Sequence, residues 1–199
     1  MNKKNSRKTK VHRKTRETDI QVDLQIDGSG QADIQTPVPF FNHMLDSFTR
    51  HGLFDLKIHA KGDVEIDDHH TVEDTGLSLG QAFQEAMSNK EGINRFGWAI
   101  VPFDEVLVTV AVDLSGRPSL VYRTPLRAGR VGGFEVELVR EFFIGFTNAC
   151  GLNLHIVVNH GRNRHHIIEG IFKACGRAMD QATQMDPRVR GIPSTKGVL

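Results

Sequence analysis

The chain has little of several features that mark particular classes of protein. Its 199 residues include two cysteines, one tryptophan and one tyrosine, and its charges nearly cancel to +1. No stretch approaches the roughly 18 consecutive apolar residues that a membrane-spanning helix needs. The two cysteines form no CxxC pair and are too few for a disulfide framework. We therefore expect a cytoplasmic protein that neither crosses a membrane nor binds nucleic acid over its whole surface.

The basic residues are concentrated near the start of the sequence. Eight Lys and Arg side chains lie within residues 1–16, where no aromatic side chain is interleaved to stack on bases. The segment also has no apolar run of the kind that a secretory signal requires. Such charges can neutralise phosphates, yet without stacking groups the pattern favours a solvated, flexible tail over residues 1–12.

Residues 15–36 show the two-residue alternation of half-buried strands. Ile20, Val22 and Leu24 fall on one face, with polar residues between them. An Asp-Gly-Ser-Gly turn signal occupies residues 27–30, and the alternation resumes after it. This pattern predicts a β-hairpin over residues 15–36, with Glu17 on its polar face.

The chain repeats itself at an offset of 96 residues. An HHxxE motif at residues 69–73 recurs at 165–169, and a G-x-A-x-x-x-A pattern follows in both copies. Each copy is predicted as a helix, a strand and a second helix. We expect Gly52 and Gly151 to end the first helix of each copy in the left-handed conformation. The fold class is therefore α+β with a duplicated unit, and the predicted helices cover residues 39–51, 70–88, 135–150 and 165–184.

The repeated motif points to metal binding. Desolvating adjacent imidazoles and a carboxylate twice is costly unless something coordinates them. A histidine and a glutamate four residues apart share one face of a helix and can chelate one ion, as in His69 with Glu73 and His165 with Glu169. The middle histidines, His70 and His166, are rotated by about 100° and are expected to serve a different metal.

One further histidine in each half completes two ligand sets. His43 lies on the first helix of the first copy, and His155 lies on the strand that follows the first helix of the second copy. Three nitrogens and one oxygen in each set leave open positions on an octahedral ion, and the spacing alone allows Mn, Fe, Co or Zn. If the pairs lie on the surface, a neighbouring chain can supply ligands in a homo-oligomer. The predicted metal ligands are His43, His69, His70, Glu73, His155, His165, His166 and Glu169.

The residues alone leave other interpretations open. Paired cations near arginines also suit a two-metal hydrolase that acts on a phosphate ester. A non-enzymatic alternative is a metal-assembled shell or binding protein in which the motifs only join subunits. A structural metal site or a pH-responsive histidine surface would use the same residue types.

Longer motifs run from about Arg13 to the last residue. They are HMLD from His43, HGLFD from His51, DDHHTVED from Asp67, GINRFG from Gly92, DLSGRP from Asp113, HHIIE from His165 and PSTKGVL from Pro193. Together they resemble the imidazoleglycerol-phosphate dehydratase family of histidine biosynthesis.

The resemblance implies a fold, a reaction and an assembly. The fold is like domain 2 of ribosomal protein S5, with repeats over residues 13–92 and 93–199 whose helices pack between two mixed sheets in one enzyme unit. The reaction is dehydration of D-erythro-1-(imidazol-4-yl)glycerol 3-phosphate to 3-(imidazol-4-yl)-2-oxopropyl phosphate. Two Mn²⁺ ions per active site and a 24-mer with metal sites between subunits are also implied.

The implied chemistry explains why two metals would face one substrate ring. The carbon that loses its proton has no neighbouring carbonyl group, so a lone carboxylate is too weak a base. With cations at both nitrogens, the ring can lose its N–H and become an imidazolate, as a metal lowers the pKa of bound water. Electrons of the imidazolate would then expel the hydroxyl on the attached carbon.

The resemblance also assigns roles to residues. Glu17 matches an Arg-x-Thr-x-Glu-Thr signature and is assigned general acid and base work. The expected catalytic residues are Glu17, His70, Glu73, His166 and Glu169. The expected substrate contacts are Glu17, His43, Ser47, His51 and Lys173, with Arg95, Arg117, Ser194, Thr195 and Lys196 at the phosphate. Asn42, Ser47 and Thr195 depart from the commonest family residues.

Overall fold

A computed structural model describes residues 7–199 and contains two halves whose four-stranded sheets and helix pairs follow the same order. The first half consists of strands β1 (Lys8–Lys14), β2 (Thr18–Gln25) and β3 (Ala32–Gln35), helix α1 (Pro39–Gly52), strand β4 (Asp55–Gly62) and helix α2 (His69–Met87). The second consists of β5 (Phe96–Phe103), β6 (Val106–Asp113), β7 (Ser119–Arg123), β8 (Arg130–Val131), β9 (Phe134–Glu135), α3 (Leu138–Cys150), β10 (Asn153–His160) and α4 (Arg164–Thr183).

Each half builds one mixed four-stranded sheet. The strand orders are β1-β2-β4-β3 and β5-β6-β10-β7, and in both sheets the last pair is parallel while the others are antiparallel. The short strands β8 and β9 form a separate ribbon. The predicted α+β class with two mixed sheets is confirmed.

The four helices lie between the two sheets and pack across the halves. Helix α1 packs on α4 and α2 packs on α3, while α2 also covers β1 and β2 and α4 covers β5 and β6. A Cβ at Gly80 would lie 2.4 Å from the carbonyl oxygen of Phe146, and one at Gly176 would lie 2.4 Å from that of Phe48. Only glycine permits this approach, so matched glycines set both helix pairs at the same spacing.

The predicted hairpin over residues 15–36 is wrong. Strand β2 pairs with β1, and β3 pairs in parallel with β4, which lies between β2 and β3. The Asp55 carboxylate accepts the backbone N–H groups of Ser29 (2.8 Å) and Gln31 (3.1 Å) and so holds this loop beside β4. Alternation identifies strands, but it does not select their partners.

The predicted flexible tail is also too long. Residues 8–12 belong to β1, where Val11 is buried and Lys10 lies 2.6 Å from Asp23 of the neighbouring strand. Residues 1–6 of the predicted tail lie outside the described residues. Between residues 7 and 199, no helix is both long and apolar enough to cross a membrane.

The two first helices end differently. Gly151 takes the left-handed conformation with φ of 66°, as predicted. In the first half that conformation falls on Leu53, with φ of 57°, and Gly52 is the last helical residue. Gly52 is needed for space instead, because a Cβ there would lie 2.3 Å from the Phe54 ring.

Candidate metal and substrate site

The structure brings three of the predicted metal ligands together where α1 meets α4. The ligand atoms of His43, His165 and Glu169 all lie within 4.8 Å of one another. Glu169 Oε2 lies 3.4 Å from His43 Nε2 and 3.1 Å from His165 Nε2. Two imidazole nitrogens and one carboxylate oxygen suit Mn, Fe, Co or Zn, so these residues fit a catalytic metal.

Glu169 is held as an anion although it is buried. Burial alone would raise the pKa of Glu169, but the Lys173 ammonium and His43 keep it below its ordinary value. Lys173 Nζ lies 2.9 Å from Glu169 Oε1, which leaves Oε2 facing the histidines. The ammonium also lies 3.6 Å from the centre of the Phe103 ring. Within one chain, Lys173 therefore orients Glu169, and this use of the lysine was not predicted.

The first-half pair is more open. His69 Nε2 and Glu73 Oε2 are 3.8 Å apart, and their side chains are 44% and 40% exposed. Within residues 7–199, the only group of three or more metal-binding side chains that meets as one cluster is the one around Glu169. Among these residues, the His69 and Glu73 pair therefore meets no third ligand.

The middle histidines turn away from these pairs, as predicted, and each meets a carboxylate. His70 Nδ1 lies 3.0 and 3.2 Å from the two oxygens of Asp63, and His166 Nδ1 lies 2.9 Å from Glu105 Oε2. These hydrogen bonds are the main cause of the raised pKa of both histidines. In both rings Nε2 remains for another partner.

Glu17 lies in the turn between β1 and β2, beside His70 and Asp63. Its backbone carbonyl accepts the N–H of Asp63 at 3.1 Å, and its Oε2 lies 4.0 Å from His70 Nδ1. The side chain is 55% exposed at the edge of an open cleft of about 330 Å³. Glu17 is thus close to a predicted metal ligand without being bound to it.

Comparison with known proteins agrees on one family. The profile of the family described as "Imidazoleglycerol-phosphate dehydratase" matches residues 36–179. The chain is 59% identical to the enzyme of that name from Citrifermentans bemidjiense over 194 residues, covering 98% of this chain and 100% of the relative. It is 58% identical to the Bacillus subtilis enzyme over 193 residues, covering 97% and 100%.

Solved structures add the fold. The crystal structure of the Staphylococcus aureus enzyme aligns with a TM-score of 0.81 and 38% identity, covering 90% of this chain and 99% of that one. The structure of the Pyrococcus furiosus protein aligns with a TM-score of 0.81 and 37% identity, covering 95% and 100%.

The chain belongs to the imidazoleglycerol-phosphate dehydratase family. It is therefore a dehydratase, a lyase of histidine biosynthesis. This membership decides against the phosphate-ester hydrolase and against the non-enzymatic shell.

The predicted phosphate contacts of this dehydratase family member lie at the far end of α4. The backbone N–H of Arg95 donates to the carbonyl of Ala182 at 2.9 Å. The guanidinium of Arg95 donates to both oxygens of Asp113 (2.7 and 3.2 Å) and to the Pro193 carbonyl (2.9 Å). It thereby ties down the segment that carries Ser194, Thr195 and Lys196. The turn with Arg117 is adjacent, because Leu114 donates to the Arg95 carbonyl at 3.1 Å.

The remaining predicted substrate contacts lie along α1. His43, Ser47 and His51 are spaced four residues apart and share one face of the helix. Burial is the main cause of the lowered pKa of His51, and the charge of Lys173 on α4 adds to it. Ser47 is buried. The side chain of Asn42 bonds to Thr36 at 2.6 Å, so this departure from the family serves the chain entering α1.

His155 is not brought to the cluster. Its neighbours along β10, Leu154 and Ile156, are buried, whereas His155 is exposed on the outer face of the second sheet. The residues that sequence reasoning missed are Asp63 and Glu105. A signal existed for Glu105, because at an offset of 88 it is the repeat counterpart of Glu17 in the first turn of each half.

Proposed function

We propose that the chain removes water from D-erythro-1-(imidazol-4-yl)glycerol 3-phosphate to form 3-(imidazol-4-yl)-2-oxopropyl phosphate. The C–O bond at the carbon attached to the ring breaks, and the next carbon loses its proton. Water leaves, and the resulting enol becomes the ketone. Family membership supports this reaction, and the observation that carries the metal-dependent form is the cluster of His43, His165 and Glu169.

Two Mn²⁺ ions per active site are proposed as the cofactor. When bound at the two ring nitrogens, they would lower the pKa of the ring N–H, so that the substrate ring can hold the negative charge that expels the hydroxyl. His43, His165 and Glu169 would hold one ion. His69 and Glu73 would start the other site, and His70 and His166 would add one ligand to each.

Glu17 is proposed as the group that moves protons. Its carboxylate is exposed and 4.0 Å from His70 Nδ1, so it stands beside a metal ligand with its own oxygens free to reach substrate. A carboxylate within hydrogen-bond reach of a carbon-bound proton can act as general base and return the proton as general acid. We assign Glu73 and Glu169 to metal binding.

The separation of the two substrate ends supports a site shared between chains. His165 and the α4 residue that contacts Arg95, Ala182, are 17 residues apart. At 1.5 Å per helical residue this is about 25 Å, whereas covalent geometry gives the substrate a length of roughly 10 Å. We therefore propose that the metal ligands of one chain and the phosphate-binding residues of another meet the same substrate molecule. The two repeats, 13–92 and 93–199, would act as one unit that shares sites with other copies.

The proposed assembly is a 24-mer with metal sites between subunits. Two features of the chain support self-association. Within residues 7–199 the pair His69 and Glu73 meets no third metal-binding side chain, and the outer face of the second sheet exposes Phe96 (51%), Trp98 (61%) and Ile100 (63%). A contiguous exposed apolar row of this kind is typical of an interaction surface. We place the protein in the cytoplasm, where the free buried thiols Cys150 and Cys175 stay reduced, with no nucleic-acid or membrane partner.

The experiment compares Glu17→Gln with a matched variant, Glu65→Gln, on the Mn²⁺-loaded protein. Glu65 is another exposed carboxylate of the same cleft, so its replacement removes an equal charge. We expect Glu17→Gln to assemble normally and to lose about 10²- to 10⁴-fold in kcat, the usual contribution of general acid–base catalysis. Glu65→Gln should keep the parent rate.

Product analysis tests the reaction itself. The ketone should form in step with substrate loss and without free phosphate. Released inorganic phosphate would contradict the dehydration, and an undiminished rate in Glu17→Gln would remove Glu17 from its role.

A further inference from the structure

The two middle histidines are held in the same way by unrelated segments of the chain. Asp63 follows β4 and reaches His70 Nδ1, whereas Glu105 lies in the turn between β5 and β6 and reaches His166 Nδ1. The Asp63 side chain is 15% exposed, and its carboxylate bonds to His70. A partly buried carboxylate directed at one ring nitrogen defines which tautomer that ring adopts.

Glu105 is firmly anchored. Its Oε1 accepts the backbone N–H groups of Arg162 (3.1 Å) and Asn163 (2.8 Å), and its Oε2 faces His166. These bonds lower the pKa of Glu105 to about 2, and the bond from the Asn163 N–H is the largest cause. Asp104 stands on the other side of the ring, with Oδ2 3.6 Å from His166 Nε2, which is too long for a hydrogen bond.

In all four histidines, Nε2 is the ring nitrogen that faces or remains available to a cation. In the cluster, His43 and His165 direct Nε2 toward Glu169. In His70 and His166, Nδ1 is occupied and Nε2 is the remaining donor atom. All four rings therefore direct or leave Nε2 for a cation. In His70 and His166 this is the arrangement expected when a carboxylate holds the opposite nitrogen of a metal-binding histidine.

The repeat explains why two different carboxylates do this work. Glu105 is the counterpart of Glu17, so the second half uses its turn glutamate as the anchor. The counterpart of Asp63, which follows β4, is Gly161, which follows β10 and has no carboxylate to offer; an added Cβ there would lie 2.8 Å from the Val106 side chain. In the first half Asp63 holds His70, and Glu17 stays 4.0 Å away and free of that duty.

We infer that Asp63 and Glu105 are positioning residues that hold Nδ1 of His70 and His166, present Nε2 of each ring to the metal, and, through Asp63, leave Glu17 unbound for proton transfer. The inference rests on the proposed function only in taking His70 and His166 as metal ligands. It concerns metal binding before any substrate is present.

The test is a titration of the metal-free full-length protein with Mn²⁺, followed by the electron paramagnetic resonance signal of free Mn²⁺, and with Co²⁺, followed by its absorption spectrum. Asp63→Asn and Glu105→Gln should each weaken one Mn²⁺ site about 10- to 100-fold, the usual effect of removing such a partner. The Co²⁺ spectrum should change as well. Asp63→Glu and Glu105→Asp, which keep the charge, should recover part of the affinity.

The matched control is Asp19→Asn. Asp19 also binds a histidine, His12, at 2.8 Å, but on the outer face of the first sheet. The Asp19→Asn variant should leave the Mn²⁺ affinity of both sites unchanged. Glu105→Gln disturbs hydrogen bonds to the backbone N–H groups of Arg162 and Asn163, and so could unfold the protein. The Asp63 carboxylate bonds to a side chain instead, so Asp63→Asn tests the inference even if Glu105→Gln does not fold. Parent-like Mn²⁺ affinity in a folded Asp63→Asn variant would overturn the inference, whether or not the protein dehydrates the proposed substrate.

Discussion

The outer faces of the two sheets carry different chemistry on the same backbone pattern. In the first sheet, one row of cross-strand partners alternates in charge: Lys10, Asp23, Lys57 and Asp33. The equivalent row of the second sheet is Trp98, Ala111, His155 and Val121. Most inward positions of both sheets are apolar and buried. The fold therefore requires a given pattern only on the inside, and the outer face is charged in one half and largely apolar in the other.

The candidate ligand pairs differ in the same sense. Glu169 is 10% exposed and its charge is matched by Lys173, while Glu73 is 40% exposed and has no lysine one turn later, because Leu77 stands there. The pair on α4 thus belongs to a preformed cluster that His43 of the first half completes, whereas the pair on α2 stays open. Equal topology does not give equal preorganisation.

The largest effect should come from the helix contacts, in which the halves are alike. Gly176→Ala and Gly80→Ala each place a Cβ 2.4 Å from a backbone oxygen, so each should lower the free energy of unfolding by about 3 kcal/mol. Urea denaturation at equal protein concentration measures it. Gly133→Ala, with no neighbour within 4 Å, should cost little. A large loss at only one of the paired glycines would break the symmetry of the packing.

The second-largest effect should be a difference in stability between variants of the two His–Glu pairs. In the metal-free protein, Glu169→Gln leaves the ammonium of Lys173 without its partner at 2.9 Å and should cost about 2 kcal/mol of unfolding free energy. Glu73→Gln, at an exposed site, should cost less than about 0.5 kcal/mol. Thermal melts of both variants provide the measurement, and Lys173→Met added to Glu169→Gln should recover part of the loss. Similar costs for the two glutamates would mean that Glu169 is not held as described.

A smaller effect is expected at the ends of the first helices. Leu53→Gly should raise the free energy of unfolding by about 0.5 kcal/mol, because Leu53 holds φ of 57° and is half exposed. Gly151→Ala should lower it by about 1 kcal/mol, because φ there is 66°. Chemical denaturation of both variants tests the pair. A destabilised Leu53→Gly variant would show that the packing of that side chain outweighs its strain.

The smallest effect should appear as pH dependence of the charged row. The Lys57 ammonium, with further hydrogen bonds, lowers the pKa of Asp33 to about 2. A carboxyl group with a lowered folded-state pKa adds stability above its ordinary pKa, and that stability is lost as pH falls through the folded value. Asp33→Asn should therefore melt slightly below the parent above pH 4 and converge with it toward pH 2. A constant difference across this range would contradict the ion pair; Val121→Thr, at the equivalent position, should show no such pH dependence.

Much of the architecture was predictable because it depends on the periodicity of apolar residues within short segments. The four helices, the strands β4 and β10 and the duplication all follow from spacing within short segments. The HHxxE motif likewise placed His165 and Glu169 on one face of a helix, and the structure adds His43 to them. Strand partners were not predictable in the same way, since β4 inserts between β2 and β3 from a distance of many residues.

Residue roles divide along the same line. Spacing sufficed to pair His165 with Glu169 and to turn His166 away from both, because a helix carries that geometry within itself. The ties of Arg95 to Asp113, of Lys173 to Glu169 and of His166 to Glu105 arise only when separate elements meet, and no segment contains both partners' geometry. The order of residues was enough for the family, the repeat and the ligand types. Packing of one half against the other was needed to determine which charges are engaged, which nitrogen each histidine leaves available and which of the predicted ligands meet.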